Sequence, residues 1–483
     1  MKLKTLVFLI LICTGLGLYI HFAIEKPNEK KFETESSDSK LIKGDLSQLQ
    51  TIRVESGEKK IGLEKINSKW WITSPLKDIA AQNKMDTLTA ALGRLKQSKV
   101  ILKKEELAAK KEALKQYGLD PAKLIFEYKT SDIAAPASIF SGLANPSSNG
   151  VYAQLGKDGE VVLTTMDIDY LTTQGVDDFR EMRLITVDPN DYAEVEIQRK
   201  DKGVLKKIKL KKNEKQQWIM TAPYSLPVDE DFARSELQKI SYIRANSFLP
   251  TLPDSLKDPE IRIVVGFKEN VQDLRANEAD TRPHGTEILL SRIPRKGMPD
   301  QFDYFGKSDK TAAANIAQFH YDNFSKSPED FVRKSFNLFD ISDIKKLIIK
   351  QSGSSEIVIT RNKEDDYGVE QGEKKKKGIA QNINAAIKQI QNLRAAKFIE
   401  VFSKPTSTPS LSVQIEKIDG RVLHFVFDFK KEMSELWFSN VDQKLRYVLG
   451  KDPITLSYFD FDALTNLPTK KESQLQPPKK AEP

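Results

Sequence analysis

The chain has 483 residues, 30% of them charged and 39% hydrophobic, with a formal net charge of +8. That length is a prior for about three domains, and a single cysteine, Cys13, excludes a disulfide framework and a cysteine-based zinc site in everything that follows it. The basic excess sits in Lys/Glu mixtures without interleaved aromatic stacking residues, which argues against a nucleic-acid partner.

At the N-terminus, Lys2 and Lys4 precede an uncharged run from Thr5 to Ile24, after which Glu25 and Lys26 restore charge. About twenty apolar residues span a bilayer, whereas the core of a cleaved signal is about 7 to 15 residues long, and no small-x-small site follows this run. The expectation is one uncleaved transmembrane helix within residues 1–24. Its basic flank stays in the cytoplasm, so the protein anchors in the inner membrane through residues 5–24 and everything after residue 25 is periplasmic. Ile12 stands before Cys13 where lipidation needs a small residue. Residues 25–44 are nearly free of large apolar side chains and are expected to form a flexible stalk; residues 466–483, rich in Lys, Gln and Pro, are expected to be disordered.

In the first module, 45–188, Ile52-Arg53-Val54 and Lys60 to Ile66 alternate apolar with polar residues around a Ser-Gly turn, the pattern of a hairpin. Trp70-Trp71-Ile72 makes a third strand that Pro75 ends, because proline donates nothing to a ladder. Met85, Leu88, Leu92 and Leu95 then recur at helical spacing, predicting an amphipathic helix of about 16 residues that runs into Val100. Leu124 to Tyr128, Val151 to Ala153 and Val161 to Leu163 are further strands.

The second module, 189–341, repeats the order. Trp218 and Pro223 follow Trp70 and Pro75 at an offset of 148 (218 − 70 and 223 − 75), and Phe248 follows Val100 at the same offset. Ala233, Leu237 and Ile240 mark its helix, with Asp229 or Asp231 as cap. Residues 269–301 are expected to be a loop elaboration. In the third module, 342–465, Tyr367 and Gly372 replace the Trp and Pro at an offset of 149 from the second copy, and Ile379, Ile383, Ile387 and Ile390 mark a helix closed by Phe398. Lys374 to Lys377 is expected to be a loop before that helix. Strands are expected at Leu411 to Ile415, His424 to Phe427, Leu436 to Phe438 and Arg446 to Val448. Asp178-Phe179 matches Asp330-Phe331, and Asp188 matches Asp340, at 152; Asp167 to Leu171 matches Asp460 to Leu464 at 293. The predicted fold class is α+β: three tandem related modules of antiparallel β-sheet, each covered by an amphipathic helix, after one N-terminal transmembrane helix.

Chemistry-bearing patterns are few. His284, His320 and His424 are the histidines beyond residue 25, and none has a second histidine at ligand spacing. Asp167/Asp169 and Asp460/Asp462 each place two carboxylates roughly 6.6 Å apart if extended, close enough for a cation or acid/base work. Their position beside Leu171 and Leu464, where strand gives way to a helical turn, is better explained by capping. With no phosphate loop or nucleophile elbow either, no catalytic, cofactor-binding or metal residue is expected, and no cofactor.

The order Trp-x-x-Thr-x-Pro (Trp70 to Pro75, Trp218 to Pro223), Tyr-Gly-Leu-Asp-Pro (Tyr117 to Pro121), Val-Tyr-Ala (Val151 to Ala153) and Asp-Phe-Arg (Asp178 to Arg180) resembles the bacterial membrane-anchored envelope proteins of the domain of unknown function 4340 family. The likeness covers nearly all of residues 45–465 and transfers no catalytic residue. It implies envelope partners, among them ABC-transporter components of gliding-motility-like systems. The functional expectation is therefore a non-enzymatic periplasmic scaffold or interaction protein; the alternative is a periplasmic module binding lipid or another hydrophobic envelope ligand.

Overall fold

The computed structural model describes residues 40–466 except 108–110, 147–149, 166–169, 202, 277–283, 335–338, 364–365, 403–408, 431–434, 443 and 450–453. The expected membrane span 5–24, the tail from 467 and the pair Asp167/Asp169 lie outside the described residues. Among the described residues no helix is long and apolar enough to cross a membrane.

The first module sets the pattern. β1 (Leu49–Ser56) and β2 (Lys59–Ile66) form the expected hairpin, with Gly57 at φ +60° supplying the left-handed turn residue. β3 (Lys69–Ser74) and β4 (Asp78–Ile79) continue outward to one edge. Helix α1 (Gln82–Arg94) then carries the chain to the opposite edge, where β5 (Gln97–Leu102) pairs with the last strand of the sheet. β6 (Leu124–Thr130) returns beside β1, followed by β7 (Ala137–Ala144), β8 (Gly150–Leu155) and β9 (Val161–Thr165). The resulting order is β4-β3-β2-β1-β6-β7-β8-β9-β5, and the same nine-stranded order recurs in a second and a third antiparallel sheet. β6 and its counterparts Ile261–Phe267 and Leu411–Lys417 alternate buried and half-buried residues without a break, as central strands with one core face do.

The helices of modules two and three are α2 (Glu230–Ser241) and α3 (Ala380–Gln391). Each starts with the same tether. The backbone N–H of the N-cap residue, Ala81, Asp229 or Ile379, donates to the carbonyl of Phe179, Phe331 or Leu464 at 2.8, 2.9 and 2.9 Å. Leu464 therefore takes the place of Phe179 and Phe331, and the sequence match of Leu464 with Leu171 does not mark equivalent positions. Asp229 also caps α2 through its side chain, which accepts from Phe232 N–H at 3.1 Å, a bond worth about 1 kcal/mol.

Several expectations are corrected. Val100, Phe248 and Phe398 do not close helices; they stand on the edge strands Gln97–Leu102, Ala245–Phe248 and Lys397–Val401. Leu95 keeps the helical spacing and is buried, although its backbone is already extended, so α1 has 13 residues. Lys374–Lys377 is an edge strand folded back on Gly368–Gln371 through Gly372 at φ +57°, not a loop. Much of 269–301 is hairpin: Gly285–Arg295 pairs with Met298–Ser308. The end of the expected stalk is fixed, because Leu41 and Ile42 are buried and Leu41 N–H bonds Leu95 O at 3.1 Å.

The described chain divides into two compact units, one running to Arg183 and taking in Ala245–Leu249 and Leu274–Asn277, the other formed by Leu184–Arg244, Pro250–Asp273 and the residues from Glu278 onward. The first buries Ile52, Leu63, Trp70, Met85, Leu88, Leu92 and Phe126 in its main core. In the second, one core runs from Leu184 to Leu464, so the second and third modules share their interior. Tyr224 of module two meets Phe398 of module three edge-on at 5.7 Å, and Ala395 N–H bonds Lys334 O at 2.8 Å.

Candidate functional site

A buried polar cluster forms where the Asp-Phe-Arg segment leaves the first module. Asp178 accepts the backbone N–H of Gly175 at 2.6 Å, fixing a short 3-10 turn that aims Arg180 at the β4 edge. Arg180 donates from Nε and Nη2 to Oδ2 of Asp78 at 2.9 and 2.8 Å, and from Nη1 to Asp177 at 3.0 Å. Its guanidinium also lies 3.4 Å from the centre of the Phe248 ring, a stack open to arginine's planar head.

A second guanidinium closes the other side. Arg275 donates to Oδ1 of Asp78 at 2.9 Å and to the carbonyls of Arg183 and Glu181 at 2.9 and 2.5 Å. Asp78, Arg180 and Arg275 are only 7%, 5% and 5% exposed. Burial would raise the pKa of Glu181, but bonds from the Arg183 backbone and guanidinium, the latter at 3.0 and 2.9 Å, outweigh it and hold the carboxyl below its ordinary range. The set is closed on itself: its charges neutralise each other and each guanidinium bonds oxygens of the same unit. Such an arrangement holds a chain segment in place.

Sequence reading singled out Arg180 but missed Asp78 and Arg275. A signal existed in the repeat. The positions matching Asp78 and Arg180 in the second module are Leu226 (78 + 148) and Val332 (180 + 152), an apolar pair in place of an ionic one, and Val332 bridges Val228 as Arg180 bridges Ala80.

The other candidates are scattered. His284 Nδ1 lies 3.2 Å from Val271 O, and His424 Nε2 lies 2.9 Å from Ser412 Oγ. Asp460 stands at the N-cap of Phe461–Thr465, but its side chain accepts from Gln351 Nε2 at 2.9 Å and does not cap the turn, while Asp462 accepts from Asn466 at 3.2 Å. Among the described residues no three His, Cys, Asp or Glu side chains gather as a metal site. The space between sheet and helix is filled by Trp70, Trp218 and Tyr367, 4%, 5% and 2% exposed. A cavity beside Ile197, Ile208, Phe324 and Phe331 measures about 10 Å³, room for about one water.

His320 is buried; its Nε2 accepts the N–H of Arg244 at 3.4 Å and its Nδ1 has no partner among the described residues. Burial first, and the Arg244 charge second, hold its pKa below the ordinary imidazole value. The unfolded chain then binds the proton more readily. Its stabilising contribution is present above the unfolded pKa of about 6.5 and is lost as pH falls toward the depressed folded value. The melting temperature should therefore fall between about pH 7 and about pH 5.5, and less steeply in His320→Gln, which keeps an acceptor for Arg244. Equal slopes in the two proteins would remove His320 from the account.

The model of the family described as Domain of unknown function (DUF4340) matches residues 70–260. The matched stretch starts at Trp70 on β3 and ends one residue before the strand Ile261–Phe267, so it straddles the first two sheets. Neither the curated proteins nor the solved structures give a match.

Proposed function

We propose that this chain, a member of the DUF4340 family through residues 70–260, is a non-enzymatic scaffold, anchored in the inner membrane by residues 5–24 and presenting its three modules to envelope proteins in the periplasm. Components of an ABC-type transporter are the partner class the family resemblance implies. The observation that carries this reading is the threefold recurrence of one nine-stranded sheet whose interior is filled by its own side chains. A unit repeated in this way multiplies surface. The outer faces fit such a role, with Lys209 paired to Glu194 at 2.7 Å, Lys207 to Glu196 at 3.0 Å and Lys345 to Glu416 at 2.7 Å: a solvated, charge-balanced surface of the kind that rims interfaces.

The test is affinity isolation of the full chain from crosslinked membranes. Recovery of a defined set of envelope proteins, transporter components among them, is the expected result. A preparation that yields the chain alone, at crosslinking levels that capture known membrane complexes, would overturn the scaffold reading.

A further inference from the structure

The second module carries a surface that the repeat does not need. Its first hairpin turns at Gly203, φ +81°, and exposes Val204 and Leu205 at 62% and 57%. Its long later hairpin turns at Gly297, φ +77°, and exposes Met298 and Ile293 at 52% and 39%. Register puts both turns at the same end of the sheet. Arg199 pairs with Ile261 and Ile261 with Leu290, so the strands that run on to Asp201 and to Arg295 leave the sheet on one side. Three strand spacings, about 14 Å, separate the two hairpins across the sheet, and the longer one runs about three residues, roughly 10 Å, further along the strand direction. The corresponding first turn of module one, Ser56-Gly57-Glu58-Lys59, has no apolar side chain.

Basic side chains surround both tips. Lys200, Lys206 and Lys207 flank the first; Arg295 and Lys296 flank the second. Lys206 meets Asp201 at 2.8 Å, Lys207 meets Glu196 at 3.0 Å and Arg295 meets Asp303 at 2.8 Å, while Lys200 pairs with Asp258. All four cations are about half exposed, and surface pairs of this kind are worth at most about 1 kcal/mol, so they exchange readily for phosphate oxygens. Arg292 braces the base of the longer hairpin, its guanidinium 4.5 Å from the Phe302 ring and 3.3 Å from Glu260.

We propose that these two tips form a contact with an anionic phospholipid bilayer, Val204, Leu205 and Met298 entering the interface and the lysines meeting headgroup phosphates. Apolar points flanked by lysine and arginine side chains whose surface ion pairs exchange readily match a surface that is anionic outside and apolar beneath. A protein partner needs roughly 800 Å² of continuous surface on each side, which two separated tips of two apolar side chains do not supply. The inference is independent of the scaffold reading, since the tips would touch lipid whether or not a protein partner is recovered.

The test uses the full chain with Cys13→Ser, reconstituted into vesicles and labelled with an environment-sensitive fluorophore at Leu205→Cys, Met298→Cys or, at the far end of the same sheet, Lys211→Cys. In vesicles of phosphatidylcholine with phosphatidylglycerol, emission should shift to the blue at 205 and 298 and stay unchanged at 211. The shift should vanish in phosphatidylcholine alone and be lost with Lys206→Glu and Lys296→Glu in the anionic vesicles. No shift at either tip, an equal shift in neutral vesicles, or the same shift in detergent without lipid, which contact between copies of the chain would give, each overturns the proposal.

Discussion

Replacing Asp78 with alanine is expected to destabilise the first unit by about 3 to 5 kcal/mol, the cost of leaving buried charge without its partner. Arg180 and Arg275 both close on this carboxylate, and neither guanidinium can shed its proton. Arg180 would keep Asp177 at 3.0 Å, and Arg275 would keep two carbonyls, but two adjacent positive charges would remain at 5% exposure. The second module carries the apolar residues Leu226 and Val332 at the matching positions, and Val332 bridges Val228 there. The double change Asp78→Leu with Arg180→Val should therefore cost less than Asp78→Ala, because only Arg275 is then stranded. Native-state hydrogen exchange of the strand Leu49–Ser56, inside the first unit, reads both. A loss below about 1 kcal/mol for Asp78→Ala would mean that water reaches the guanidinium groups and the cluster is not a closed one.

What the chain made legible follows from which interactions leave a periodic trace. The third strands carrying Trp70, Trp218 and Tyr367, and the helices over them, are legible because a strand with one buried face and a helix with one buried stripe write themselves into the sequence at periods of 2 and 3.6. The strands after the helices left no such trace. Gln97–Leu102 lies at a sheet edge with one buried residue, so polar side chains occupy most of it and nothing alternates. Lys374–Lys377 is fully exposed on both faces of its edge strand; lysine there blunts pairing with other chains, and four identical charges carry no register. The long hairpin 285–308 was hidden by turn-forming residues in the loop before it and by Pro294 and Pro299 within its strands. The Asp78 cluster joins residues 102 and 197 positions apart, and a contact at that range becomes visible in one sequence only when a repeat supplies a second example to compare.

Trp218→Ala is expected to cost about 3 to 5 kcal/mol, and the loss should be felt beyond its own module. The indole is 5% exposed in the core that also holds Met220, Leu237 and Ile240, and Lys212 stands over the ring at 5.2 Å. Removing it leaves a cavity between the second sheet and α2 that the surrounding strands, hydrogen-bonded on both sides, cannot close. Because that core runs on to Leu464, the two modules are expected to open as one cooperative unit. Native-state hydrogen exchange distinguishes the cases. Protection of the central strand Tyr192–Asp201 should fall by roughly two to four orders of magnitude, and that of Leu411–Lys417 in the third module should fall with it. A loss confined to Tyr192–Asp201 and its neighbours would show that the contacts at Tyr224–Phe398 and Lys334–Ala395 join two cores that open separately.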